Sequence, residues 1–266
     1  MATGAPSRVS TSLNPSVLLS KVPEVTVLFW VTKVLTTGMG ETASDFLVRR
    51  IDPFVAVGLG AVAFVVAMAL QLRARRYVPW TYWLAVSMVS VFGTMAADVV
   101  HIALGVPYVV STVVFAVVLA AVFVVWYRTE GTLSIHSIRT RRRELFYWLT
   151  VLTTFALGTA AGDLTASTMH LGYFASGVLF AVVIAVPAVA HWRLRLNAIT
   201  AFWFAYIVTR PLGASFADWL GVPPSRRGLD LGTGPVTLTL ALVIAVLVGY
   251  LTVTHSDTPQ EDVLTP

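Results

Sequence analysis

The sequence predicts an all-α polytopic membrane protein: eight transmembrane helices arranged as four parallel two-helix repeats. Three observations predict it. The 266 residues are 57% hydrophobic and only 12% charged, with a mean hydropathy of +0.80, against about a quarter charged residues in soluble domains. Uncharged apolar stretches long enough to cross a bilayer, about twenty residues each, alternate with stretches that carry a few buried-type charges. A tryptophan–glycine–aspartate skeleton also recurs four times, which marks repeated supersecondary units.

That skeleton runs from Trp30, Trp83, Trp148 and Trp203. Each stands ten residues before a glycine (Gly40, Gly93, Gly158, Gly213) and fifteen before an aspartate (Asp45, Asp98, Asp163, Asp218). Trp-to-Trp distances of 53, 65 and 55 residues place the length variation between units. Cysteine is absent, which excludes disulfides, thiolate metal sites and a cysteine nucleophile. The net charge of +5 is read as basic cytoplasmic loops, with no nucleic-acid partner.

In chain order, residues 1–20 read as a disordered cytoplasmic tail, with no basic-then-apolar pattern of a signal peptide. A first helix covers about Val25 to Leu47, with Pro23 where a first-turn proline is tolerated. Pro53 opens a second, uncharged helix to about Leu72. Trp80 to about Val100 and Pro107 to Trp126 repeat the plan. The longest connection, Tyr127 to Glu144, follows. Phe146 to about Leu164 and Leu171 to Ala190 form the third unit, and Ala198 to Leu220 and Pro235 to about Val253 the fourth. The repeats therefore span about 21–72, 77–126, 144–192 and 197–253. Residues 254–266 read as a polar cytoplasmic tail.

Two crossings per repeat mean that all repeats enter from one side. Tails and connections between hairpins carry twelve Lys and Arg, and the turns within hairpins carry four. The positive-inside rule then makes both termini cytoplasmic. The remaining two bases, Lys33 and Arg210, lie inside odd-numbered helices together with Glu41, Asp45, Asp98, Asp163 and Asp218. Buried charges face a bundle interior and mark a pathway or a paired network, so the odd helices are expected inside and the even ones toward lipid.

Helical geometry puts these groups on one face. At about 100° per residue, positions 7, 11 and 15 after each tryptophan lie within about 60° of it. Trp to Asp spans about 22 Å of helix rise, so the tryptophans sit toward the inner side and the aspartates toward the outer. The aspartates read either as caps and interhelix hydrogen-bond groups or as a carboxylate cluster lining an outer vestibule for cations. Lys33 and Arg210 read as counter-charges reached across helices. Lys33 is about 12 Å from Glu41 along its own helix. The register tryptophans are expected to pack between repeats, whereas Trp126, Trp192 and Trp219 suit interfacial belts. The register glycines suit close helix approach. Gly38–Met39–Gly40 and Arg210–Pro211 are candidate points of local unwinding. His101 and His170 read as polar loop residues or as candidate metal ligands near the outer surface. No nucleotide-binding loop, nucleophile elbow or zincin motif is present, so no cofactor is implied and the chain does not read as an enzyme.

These features resemble a bacterial membrane-protein family built from four tandem repeats of unknown function. The residues that carry the resemblance are Lys21-Val-Pro-Glu-Val-Thr with Trp30, Gly-Glu-Thr-Ala-Ser-Asp at 40–45, Ser-Ile-His-Ser-Ile at 134–138 and Thr-Phe-Ala-Leu-Gly-Thr-Ala-Ala-Gly-Asp at 154–163. The resemblance covers residues 21–253 and implies a bacterial inner membrane, but no activity. From the residues themselves, the expectation is a secondary transporter of a small inorganic cation, proton-coupled and driven by an ion gradient, since no ATP-binding segment is present. The rival expectation is a non-transporting scaffold or sensor with paired buried charges. A membrane enzyme acting on lipid is a weaker third. The lipid bilayer is the partner that composition implies, with a small inorganic cation as the expected substrate.

Overall fold

The computed structural model describes residues 20–195 and 197–258; the first nineteen residues and residues 259–266 of the expected tails lie outside the described ones. All regular structure among the described residues is helical. The long helices are α1 (Val27–Arg50), α2 (Pro53–Arg73), α3 (Pro79–Asp98), α4 (Tyr108–Glu130), α5 (Arg141–Asp163), α6 (Tyr173–Leu194), α7 (Ala198–Gly221) and α8 (Thr233–Thr254). Five are long and apolar enough to cross a membrane: α2, α3, α4, α5 and α8.

Local chemistry sets the ends. Thr26 caps α1 by accepting from the Phe29 N–H, so α1 starts after Pro23 and not on it. Asp52 caps α2 through the Phe54 and Val55 N–H groups, with Pro53 in the first turn. The helix α4 outruns its expected end at Trp126 because no breaker occurs before Gly131, which takes the left-handed conformation at φ 71°. In turn α5 begins five residues earlier than expected, since Thr140 caps it and Glu144 lies in its first turn, where the helix dipole favours an acid. Two helices continue past their repeat aspartate as π-helical turns: Val99–Ala103 after α3 and Leu164–Thr168 after α5.

The four odd helices form a closed inner ring, α1–α3–α5–α7, each touching the next and α7 returning to α1. The even helices do not pack mainly on their own hairpin partner. Instead α2 covers α3, α4 covers α5, α6 covers α7, and α8 closes the cycle on α1. Each repeat therefore shields its successor. The even helices present rows of exposed aliphatic side chains, such as Val62, Val65 and Val66 on α2 and Leu238, Leu242 and Val246 on α8, the composition a lipid-facing surface requires.

The register glycines fix the ring. Gly40 abuts Ser90, Gly93 abuts Phe155, Gly158 abuts Arg210 and Gly213 abuts Thr37. Every partner stands seven residues after its own repeat tryptophan, so all four interhelix contacts share one register and the inner helices run parallel. A Cβ on Gly40 would lie 1.9 Å from Ser90 Oγ, and one on Gly213 would lie 1.9 Å from Thr37 Oγ1.

The tryptophan end is closed by aromatic doublets, Phe29–Trp30, Tyr82–Trp83, Tyr147–Trp148 and Phe202–Trp203. Trp83, Trp148 and Trp203 are buried and Trp30 is half-buried. Trp126 does not join an interfacial belt: it is fully buried, parallel to Phe146 and edge-on to Trp203, because α4 lays its last turns against α5 and the ring. Trp219 is half-buried against Phe174; the side chain of Trp192 is outside the described ones.

The segments just before α1 and just after α8 are tied down at this end. Lys21 N–H donates to the Ile138 carbonyl at 3.1 Å, Tyr77 N–H to Ser20 at 2.9 Å and Glu24 N–H to Asp257 at 2.9 Å. Asp257 is buried and accepts from the Tyr77 hydroxyl; burial pushes its carboxyl above the usual range. The segment after α8 thus begins as a docked strap, where a polar tail was expected.

Candidate functional site: a polar axis inside the helix ring

The repeat register stacks four polar layers along the ring axis. Nearest the aromatic closure is Lys33, three residues after Trp30. Its ammonium is fully buried, 4.2 Å from the Phe155 ring centroid and 4.3 Å from that of Tyr206. It has no hydrogen-bond partner among the described residues. The expectation that Lys33 pairs with an acid is therefore corrected. The equivalent positions on the other inner helices are Val86, Val151 and Tyr206, so its own level offers no carboxylate.

The next two layers hold the ion pair. Arg210, on α7, is fully buried and reaches across the axis to Glu41 on α1, with Nη2 2.5 Å from Oε2. The same nitrogen contacts Thr159 Oγ1 at 2.8 Å and Thr94 Oγ1. Glu41, Thr94 and Thr159 each stand eleven residues after their repeat tryptophan; the fourth equivalent is Ala214. One guanidinium therefore ties α7 to the other three inner helices. The helix is continuous through Arg210 and Pro211, and α1 through Gly38–Met39–Gly40. The expected unwinding is absent: the glycines serve interhelix approach, and Thr37 Oγ1 donates to the Val34 and Thr209 carbonyls.

The aspartates form the last layer. Asp45 is half-buried and pairs with Arg49 at 2.6 Å, one turn further along α1. Asp98 and Asp163 are half-buried and Asp218 is buried. Among the described residues, none of these three has a basic partner in salt-bridge contact. Asp98, Asp163 and Asp218 each lie within electrostatic reach of both Glu41 and Asp45. The five carboxylates thus share one neighbourhood at the end of the ring away from the tryptophans. Beside it is a polar cavity of about 260 Å³ lined by His170, Tyr173, Arg226 and Arg227 among others.

The histidines take other roles. His101 is buried, with Nδ1 3.3 Å from both the Val106 carbonyl and Ser111 Oγ, and its ring lies on Tyr108; it fastens the π-turn to the start of α4. His170 sits at φ 56°, and its carbonyl accepts from Arg227 at 3.3 Å. Among the described residues no three His, Asp or Glu side chains gather in a metal-binding cluster.

Sequence reasoning missed Thr94 and Thr159, although the register that located Glu41 also marks them. It missed the aromatic doublets, four times repeated. It also missed a second buried ion pair at the tryptophan end: Lys21 Nζ to Glu144 Oε2 at 2.6 Å, with Gln71 Nε2 beside Oε1. That pair joins the N-terminal strap, α2 and α5, contacts no local spacing reveals.

A closed ring of parallel helices, each shielded by the outer helix of the preceding repeat, defines this chain as an all-α repeat membrane protein. It belongs to the family described as a repeat of unknown function (DUF347), whose model matches four times, at residues 28–77, 81–132, 146–197 and 201–257. No curated protein and no solved structure matches the chain.

Proposed function

We propose that this protein is a secondary transporter of a small inorganic cation, coupled to protons, with its four repeats inserted eight times across a bacterial inner membrane and both termini in the cytoplasm. The aspartate end then faces outward. One observation carries the reading: four equivalent carboxylates and Glu41 gather around one axis, and among the described residues only Asp45 and Glu41 of these five hold a basic partner in salt-bridge contact. A structural network of buried charges is expected to be paired, because an uncompensated charge is costly away from water. Carboxylates left without a basic partner at one end of a bundle suit a group that carries a cation or a proton in turn. No ATP-binding motif is present, so an ion gradient supplies the driving force.

A second reading has its own support. The Arg210–Glu41 pair is buried and well bonded, as in a scaffold whose charges only fix helix register. Flux through proteoliposomes separates the two. The transporter reading expects pH-gradient-dependent cation uptake that falls at least tenfold in Glu41→Gln and in Asp45→Asn. Undiminished flux in both variants removes these residues from the mechanism. A folded wild type with no flux across a panel of monovalent and divalent cations selects the scaffold.

A further inference from the structure

Three oxygens converge on one nitrogen at the centre of the ring. Arg210 Nη2 is contacted by Glu41 Oε2, Thr159 Oγ1 and Thr94 Oγ1, yet a terminal guanidinium nitrogen carries only two hydrogens. The threonine hydrogens are directed elsewhere. Thr94 Oγ1 donates to the Ser90 carbonyl at 2.9 Å and Thr159 Oγ1 to the Phe155 carbonyl at 3.1 Å. Both hydroxyls therefore turn lone pairs toward the axis whatever occupies it. Meanwhile Arg210 Nε and Nη1 are buried without a hydrogen-bond partner among the described residues. A site shaped for arginine spreads its acceptors over the planar fork. Here every acceptor points at one atom, the arrangement that suits a compact hard cation held by oxygens.

We infer that Glu41, Thr94 and Thr159 are a cation-binding site and that Arg210 Nη2 is its tethered competitor. The site takes a hard monovalent cation. One carboxylate and two neutral hydroxyls balance a single positive charge, so exchanging the guanidinium for such an ion leaves the local charge unchanged. The fourth position of the layer is Ala214, beside Arg210 on α7, whose short side chain leaves that side of the axis to the arginine. The role of this site in transport rests on the reading above, but binding itself is an equilibrium property and is tested apart from flux.

The test uses purified full-length protein in detergent, with sodium chloride compared with N-methylglucamine chloride at equal ionic strength. Arg210→Met keeps a long stem against Gly158 and removes the guanidinium. This variant is expected to bind radioactive sodium at least tenfold more tightly than wild type, with a matching sodium-dependent rise in melting temperature. Adding Thr94→Val and Thr159→Val is expected to reverse the gain at least tenfold. Folded Arg210→Met with identical melting in both salts overturns the site. Should Arg210→Met fail to fold, the two valine substitutions in the otherwise native chain decide. A tenfold rise in the sodium concentration giving half-maximal stabilisation supports the site; an unchanged sodium dependence overturns it. Sodium binding without flux removes the transport reading and leaves the site, whereas flux without sodium binding in Arg210→Met does the reverse.

Discussion

At the tryptophan end the four inner helices meet through aromatic doublets, and the segments flanking α1 and α8 are bonded there by Lys21–Glu144 and Tyr77–Asp257. At the aspartate end the same four helices hold Asp45, Asp98, Asp163 and Asp218 in one neighbourhood, where Arg49 is their one salt-bridge partner among the described residues. Backbone register is shared by both ends, since each glycine meets the seventh residue after the next tryptophan. Side-chain chemistry is not shared. One end holds its acids, Glu144 and Asp257, in buried hydrogen-bonded contacts; the other gathers like charges, and Asp98, Asp163 and Asp218 have no basic partner in salt-bridge contact among the described residues. The difference teaches that the repeat specifies how the helices pack, while the deviations from the repeat, Lys33, Glu41 and Arg210, place the chemistry between the two ends.

The shared register is where the comparison breaks most severely. Gly213→Val inserts atoms where Thr37 Oγ1 and the Val34 carbonyl already stand. We expect a loss of about 3 kcal/mol or more, read as a lower melting temperature in detergent or as loss of folded protein. Gly58, with open space at its Cβ, is the control: Gly58→Ala is expected to be neutral or to gain up to about 1 kcal/mol of helix propensity. Equal losses in both would remove the glycine register as the organising contact.

Glu144→Gln sharpens the contrast between the ends. It leaves Lys21 largely buried beside a neutral amide, and a loss of about 2 kcal/mol is expected, since the remaining ammonium loses its compensating charge. Asp98→Asn at the aspartate end is expected to change stability by no more than about 0.5 kcal/mol, and in the direction of a gain, because it removes a charge from a like-charged group. Melting temperatures of the two variants, measured in parallel, check the order. A larger loss in Asp98→Asn would make the aspartate layer structural.

Much of the fold was legible. Period, spacing and charge placement locate eight helices, the inner and outer rings, and the shared face carrying Glu41 and the aspartates. Ends went wrong where a cap outranked hydropathy, as at Thr26 and Thr140. Charge counting pairs Lys33 with an acid because it carries no height along an axis; the ring sets its level against Phe155 and Tyr206. Trp126 suits a membrane interface by residue type, and only the packing of α4 on α5 buries it. Glu144 was invisible as a site residue because its partners lie 123 and 73 positions away.

By itself, the sequence determined the repeated unit, its helical period and which helices carry charge, because these follow from spacing along one chain and the cost of placing polar groups in lipid. Only the tertiary structure decided that each outer helix covers the next repeat, that Arg210 meets Glu41 with Thr94 and Thr159, and that Lys33 meets no acid. Those outcomes depend on how four helices are rotated and set in height against one another, and that is fixed by contacts between glycines and side chains far apart in the chain.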